Sequence, residues 1–244
     1  MHTNEQNRHT ALTECLSYTY IGRDGTICQK EDPVLTEHSL DVYINENLTL
    51  NLTCIPEYLY ELVLGRLFTE GKIQNAEDVK SLCICESGRR ANAVLARELS
   101  LSGCQSLRPV TPIPWKADWI FCLADCFADG MPLHGQTFAT HSCFLAQEST
   151  LLFQCEDIGR HNALDKVIGY ALRNRIDLAQ CIVYSSGRIP TDMAHKAICA
   201  GIPILASKAS PTQAAVELAQ QFSLTLVCAA RRDRMKLFAG AMPE

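Results

Sequence analysis

The first part of the chain carries the two-residue alternation of strands. Residues 16–21 alternate in this way, and residues 38–45 and 48–53 read as a hairpin turning at Asn45-Glu46-Asn47. Pro56 then opens a helix with Leu59, Leu62, Val63 and Leu67 on one face, and Gly71 ends it. Residues 82–85 read as a short strand. Residues 86–114 show no clear period and end in Pro109, Pro112 and Pro114, which marks a link between two parts. Beyond it, Trp119, Cys122, Leu123, Cys126 and Phe127 recur at helical spacing and predict one apolar helix face. Residues 140–146 and 151–155 predict a second hairpin about Glu148-Ser149. A helix at 160–172, a strand at 181–184, a helix at 191–200, a strand at 204–206 and a helix at 212–222 follow, then strands at 224–228 and 235–238. Short apolar strands alternating with amphipathic helices predict a mainly parallel sheet covered on both faces. The expected organisation is a polar arm over 1–14, an α+β part over 15–114 and an α/β domain over 115–244.

Composition narrows the functional classes. Hydrophobic residues make up 47% and charged residues 20% of the 244, so the chain can bury a core and is not a disordered or collagen-like sequence. The net charge is −5, the wrong sign for a general nucleic-acid binder. Its distribution is uneven, with a balance of −8 over residues 1–155 and +3 over 156–244. A local anion site is therefore expected in the C-terminal part. The opening Met1-His2-Thr3-Asn4-Glu5-Gln6 has no leader character, and no apolar run approaches the ~20 residues of a membrane span. The expectation is a cytoplasmic protein without a membrane or nucleic-acid partner, its 13 cysteines mostly free thiols.

In a sheet of this kind, ligands collect where strands end and helices begin. Three such junctions carry cationic or ionisable groups: Glu156-Asp157-Ile158-Gly159-Arg160-His161, Ser185-Ser186-Gly187-Arg188 before Pro190, and Lys208-Ala209-Ser210-Pro211-Thr212-Gln213, where Ser210 suits an N-cap, Pro211 the first helical position and Gln213 the third. A fourth basic cluster is Arg231-Arg232-Asp233-Arg234. Helix N-termini and arginine forks suit phosphate groups. Each junction taken singly reads as ordinary capping with solvated cations, whereas the four together, on one side of the sheet, read as an anion site. Neither G-x-x-x-x-G-K-[ST] nor G-x-G-x-x-G occurs. His161 reads as a ligand-orienting group or a helix-start histidine, His141 as a strand residue, and Asp165 with Lys166 as a solvated pair.

The cysteines lack C-x-x-C spacing. Cys83, Cys85, Cys122 and Cys126 read as small buried hydrophobes. No structural zinc set is offered, and His141-Ser142-Cys143 departs from the H-x-E of zinc deaminases. Cys104, in a polar loop beside Gly103 and near Arg108, reads as a nucleophile or an incidental thiol.

The run Glu156-Asp157-Ile158-Gly159-Arg160-His161-Asn162-Ala163-Leu164-Asp165-Lys166 resembles the signature of the formate dehydrogenase accessory sulfurtransferases, the FdhD-type proteins. So do Ser185-Ser186-Gly187-Arg188, Met193 with Lys196-Ala197, Ala200-Gly201-Ile202-Pro203-Ile204 and Ala215-Val216-Glu217-Leu218-Ala219. The likeness is strong over 140–238 and looser over 38–71. It implies a cytosolic homodimer with a three-layer α/β/α, deaminase-like domain that lacks zinc. It also implies binding of the bis(molybdopterin guanine dinucleotide) molybdenum cofactor, and relay of sulfur from a cysteine desulfurase to it before insertion into formate dehydrogenase. With the junctions above, it puts forward Gly159, Arg160, His161, Asp165, Ser186, Gly187, Arg188, Lys208, Ala229, Ala230, Arg231, Arg232, Asp233 and Arg234 as cofactor-binding. Asp233 stands where the family has glycine. The family's sulfur loop reads roughly G-C-G-x-C-G. Here Gly103-Cys104-Gln105-Ser106-Leu107 keeps the first cysteine, Cys104, and replaces the second with Leu107. The rival expectation is a chaperone that delivers the cofactor without handling sulfur.

Overall fold

In the computed structural model, residues 12–96 and 107–244 are described. They form a ribbon, two larger sheets and six α-helices. Strands β1 (Thr13–Ile21) and β2 (Ile27–Leu35) pair antiparallel as the ribbon. Strand β1 begins inside the expected polar arm, and β2 has no counterpart in the sequence reading. Strands β3 (His38–Ile44), β4 (Asn47–Cys54), β5 (Val79–Ile84) and β6 (Arg90–Leu95) form a sheet in the order β4-β3-β6-β5, with helix α1 (Leu59–Thr69) between β4 and β5 in the chain. The β3–β4 turn is set by Asn45 and Glu46, both left-handed (φ 47° and 70°), the conformation of two-residue hairpins. Strand β6 lies in the stretch without a period. Two of its three inward residues are Ala91 and Ala93, which carry little hydrophobic signal.

Helices α2 (Ala117–Ala128) and α3 (Pro132–Thr137) precede the hairpin β7 (His141–Gln147) and β8 (Thr150–Asp157). After these come α4 (Arg160–Arg173), β9 (Ile182–Ser185), α5 (Thr191–Cys199), β10 (Ile204–Ser207), α6 (Gln213–Gln221), β11 (Thr225–Cys228) and β12 (Lys236–Ala239). The six strands order as β12-β11-β10-β9-β7-β8. The sheet is mixed rather than mainly parallel: β10 pairs parallel with β9 and β11, and the other three pairings are antiparallel. The physical cause is the two short returns, β7 to β8 and β11 to β12, which leave no room for a crossover helix. Nevertheless β8, β9, β10 and β11 all run the same way, so their carboxyl ends share one rim.

Strands β9, β10 and β11 are buried at every residue, as strands covered on both faces must be. Phe144, Ile182, Tyr184, Ile204 and Val227 meet Ile120, Leu123 and Phe127 of α2 on one face. Leu145, Val183, Leu205 and Leu226 belong to the larger cluster on the other, with Leu164 and Val167 of α4 and Met193 of α5. That cluster continues into Leu40, Val42 and Ala91 of the four-stranded sheet. The bridge is a crossing of α1 over α4 at two glycines. A Cβ at Gly65 would run into the Asp165 carbonyl, and one at Gly169 into that of Glu61. Arg173 to Glu61 at 2.6 Å and Arg66 to Asp165 at 3.1 Å flank the crossing.

Three sequence expectations fail locally. Helix α2 buries Ile120, Leu123, Ala124 and Phe127, turning Cys122 and Cys126 to solvent. Cys83 is exposed on the edge strand β5, and Cys85 just beyond it. All four cysteines expected in the core are therefore surface thiols. Helix α6 is capped by Thr212, whose hydroxyl accepts from the Ala215 N–H, and not by Ser210. Pro211 instead bridges to Ile189, which holds two rim loops together.

Candidate functional site

The rim is built by loops bonded to one another. Beyond β9, Ser186 N–H donates to the Ser142 carbonyl at 2.9 Å, and its hydroxyl accepts the Ser142 N–H at 2.9 Å. Lys208 N–H donates to the Ser185 carbonyl at 3.0 Å, and the Ser207 hydroxyl donates to the Gly187 carbonyl at 2.6 Å. Ala230 N–H reaches Ser207 O at 2.9 Å, and Ala229, left-handed at φ 50°, donates to Ala209 O at 2.8 Å. Tyr184 donates its hydroxyl to the Ala230 carbonyl at 3.0 Å; burial pushes that phenol well above its usual range. The loops after β9, β10 and β11 therefore form one hydrogen-bonded platform.

A cleft of about 360 Å³ opens at this platform. Ser186, Lys208, Arg231, His141, His134 and Thr140 supply its polar groups, and Phe127 and Phe138 its ring walls. The Lys208 ammonium sits 4.5 Å from the Phe127 ring centre. Phe138 is 79% exposed in a left-handed position at the end of α3, edge-on to His134. Glu156 fixes this wall. Its carboxylate accepts from the backbone N–H groups of Leu133 (2.9 Å) and His134 (2.7 Å) and from the Thr140 hydroxyl (2.8 Å).

Arg160 and Arg188 stand beside the cleft. The Arg160 stem is packed so closely on Gly187 that a Cβ there would lie 2.8 Å from Arg160 Cβ and 3.4 Å from His141 Nδ1. Only glycine fits that approach. Arg160 Nε is buried without a hydrogen-bond partner. Burial, then the Arg160 charge and more weakly that of Arg188, pull the His141 pKa below the usual imidazole range. Its Nδ1 lies 3.4 Å from the Ser186 hydroxyl. His161 lies 3.3 Å from Asp192; burial still pulls it down, although Asp192 opposes.

The other sequence candidates are placed differently. Gly159 is the residue before α4, and its N–H donates to Asp157 at 3.2 Å. Arg232 pairs with Asp125 and Asp129 at the end of α2, and Arg234 with Asp233 at 3.2 Å. Asp165 faces the interior. It takes the Lys196 ammonium at 2.6 Å and the Thr69 hydroxyl at 2.9 Å as well as Arg66. Burial lowers the Lys196 pKa, and Asp165 holds it up. Lys166 is fully buried and pairs with Asp157 at 2.7 Å. A solvated Asp165–Lys166 pair does not exist; each residue is spent on a different buried partner. Asp157 and Asn162 also tie the rim to the other sheet. Asp157 accepts from Ile55 N–H at 3.3 Å, and the Asn162 amide donates to Thr53 O at 2.7 Å. Cys104 lies outside the described residues. Leu107 packs against the main apolar cluster.

Sequence reasoning placed Glu156 at the first junction without a role, and it missed the ring walls, for which the one available signal was Pro132, which starts α3. Among the described residues, no helix is long and apolar enough to cross a membrane.

A family model described as the FdhD/NarQ family matches residues 35–242. The chain is 35% identical over 247 residues to a sulfur carrier protein FdhD of Nocardia farcinica (strain IFM 10152), covering 87% of this chain and 88% of that one. It is 28% identical over 242 residues to the protein of the same name from Listeria monocytogenes serotype 4b (strain F2365), covering 88% and 93%. A crystal structure of a protein from Desulfotalea psychrophila, described as a candidate formate dehydrogenase accessory protein, superposes with a TM-score of 0.83 at 28% identity. It covers 94% of this chain and 98% of its own.

Proposed function

Because the chain belongs to the FdhD/NarQ family, we propose that it acts in formate dehydrogenase maturation, binding the bis(molybdopterin guanine dinucleotide) molybdenum cofactor as cargo and passing it sulfur drawn from a cysteine desulfurase. Its relatives are named sulfur carrier proteins, which supports the sulfur role. In this reading it works in the cytoplasm as a homodimer, and its helices on both faces of a mixed sheet follow a deaminase-like layering without zinc.

The observation that carries the reading is the convergence of Lys208, Arg231, Ser186 and His141 on one cleft with phenylalanine walls. Lys208 and Arg231 supply charge for phosphate, and the arginine fork adds paired donors. Phe138, 79% exposed, offers its ring to a planar base or pterin, while Phe127, with the Lys208 ammonium over its ring, backs the cleft. His141, held below its usual pKa, is uncharged at neutral pH and serves as a hydrogen-bonding group. The cleft has the size of a small-molecule pocket. It accepts one nucleotide-like part of the cargo, and the remainder extends over the rim toward Arg160 and Arg188.

Cys104 is the sulfur carrier in this proposal. Its thiolate attacks the outer sulfur of the donor persulfide, the donor S–S bond breaks, the donor leaves as a thiolate and a Cys104 persulfide remains. With Leu107 in place of the second cysteine, no loop disulfide shields that sulfur, and transfer goes directly from Cys104. Peptide mass spectrometry after incubation with a cysteine desulfurase and cysteine tests the step. A gain of one sulfur confined to the Cys104 peptide is expected. No gain on any peptide would leave delivery alone, in which Arg188→Ala abolishes client activity and Cys104→Ala does not.

A further inference from the structure

Most of the polar groups of the rim cleft are donors or are already engaged. Lys208 and Arg231 have hydrogens to give and no lone pairs. The Thr140 hydroxyl spends its hydrogen on Glu156 at 2.8 Å, and the Ser186 hydroxyl takes the Ser142 N–H at 2.9 Å. Cations of this kind suit phosphate, but they cannot read a ring that itself presents N–H groups. That takes an acceptor held in place.

His134 is such an acceptor. Its Nδ1 lies 3.0 Å from the Thr140 carbonyl. A carbonyl only accepts, so Nδ1 carries the hydrogen, and in the neutral ring Nε2 keeps the lone pair. Among the described residues nothing bonds to Nε2, and burial does not close it off from the cleft that His134 lines. The ring is also fixed. The His134 backbone N–H donates to Glu156 at 2.7 Å, and the same carboxylate takes the Thr140 hydroxyl, so one group holds both His134 and the carbonyl that orients it. Phe127 and Phe138 border the ring, with centroids 6.1 and 5.8 Å away. An acceptor set before the ligand arrives loses little freedom on binding.

We infer that His134 Nε2 accepts a hydrogen bond from the 2-amino group of a 2-amino-4-oxopyrimidine edge, which guanine and pterin share, and so makes the cleft prefer such a ring to one without the amino group. This role rests on the cofactor reading of the cleft and adds to it the residue that reads the base. Helix α3 then supplies the base-reading side through His134 and Phe138, and the loops after β10 and β11 supply the phosphate side through Lys208 and Arg231. The two sides meet at Phe127, whose ring centre is 4.5 Å from the Lys208 ammonium and 6.1 Å from the His134 ring.

Calorimetric titration with guanosine diphosphate and inosine diphosphate, which differ in the 2-amino group alone, tests it. The wild-type chain is expected to bind the first about fivefold more tightly, the worth of one hydrogen bond between neutral groups. His134→Phe keeps a ring between Phe127 and Phe138 and removes both nitrogens. It is expected to bring the guanosine diphosphate affinity down to that for inosine diphosphate, which abolishes the preference. A wild type that binds the two alike, or a preference that survives in His134→Phe, overturns the role and leaves the cleft as a phosphate site. A variant that binds neither nucleotide makes His134 a structural residue and overturns it as well. A wild type that binds neither removes the cofactor reading of the cleft, and this role with it.

Discussion

The six-stranded and the four-stranded sheet bury themselves in different ways. In the first, β9, β10 and β11 are only four residues long and buried at every position. In the second, β6 alternates exposed and buried residues and has a solvent face. The polar chemistry gathers at the rim of the sheet with two covered faces. Strands fixed from both sides hold their end loops in one place, so Ser186, Lys208 and Arg231 meet at a cleft without support from long loops. The sheet with an open face contributes support instead. The Thr53 carbonyl accepts from Asn162, and Ile55, just past β4, donates its N–H to Asp157 and accepts from Lys166, which steadies the start of α4.

If the two regions are one folding unit joined at the α1–α4 crossing, breaking that crossing has the largest effect. Gly65→Val forces a side chain into the Asp165 carbonyl and is expected to cost about 4 kcal/mol or more, seen in urea denaturation as loss of the whole cooperative transition. A variant in which one sheet unfolds and the other keeps its transition would show two independent units.

The buried ion pair beneath the rim comes next. Lys166→Met leaves Asp157 charged and unpaired in the interior, at a cost of about 3 kcal/mol. Adding Asp157→Asn is expected to return most of that loss in the same denaturation measurement. If the double variant is no better than the single, the pair is not the unit described.

The smallest effect is on pH. His141 and His161 have folded pKa values below their unfolded ones. Just below the usual imidazole range, the unfolded chain therefore binds more protons, and stability rises with pH through that window. As pH falls through the folded values, this contribution is lost. Melting temperature followed from pH 7 down to about pH 5 is expected to fall, and the fall to be shallower in a His141→Gln, His161→Gln double variant.

Legibility in the sequence followed the physics of burial. The Asn45-Glu46 turn and the β9-α5-β10-α6-β11 succession could be read because turn residues and doubly buried strands leave local marks. Helix α2 was rotated because Trp119, Ile120, Phe121, Cys122 and Leu123 are apolar in succession and fix no single face. Strand β2 left no mark because Lys30, Glu31, Asp32 and Pro33 in succession interrupt any alternation. Ser186 and Lys208, which line the cleft, were legible from their places at strand-to-helix junctions, as were their neighbours Arg160, Gly187 and Arg188. Asp165 was misjudged because its partners, Arg66, Thr69 and Lys196, are brought to it by other helices. The aromatic walls were missed for the same reason: the end of α2 and the six-residue α3 meet the rim only in the folded chain.

The central claim is that the cleft beyond β9, β10 and β11 holds the phosphate-bearing end of the cargo. Calorimetric titration with a guanine nucleotide diphosphate as probe tests it most directly. The account predicts that Lys208→Ala and Arg231→Ala each weaken binding about tenfold, while Arg234→Ala, whose guanidinium rests on Asp233, leaves it unchanged. Full affinity in the first two variants, or its loss in the third, would contradict it.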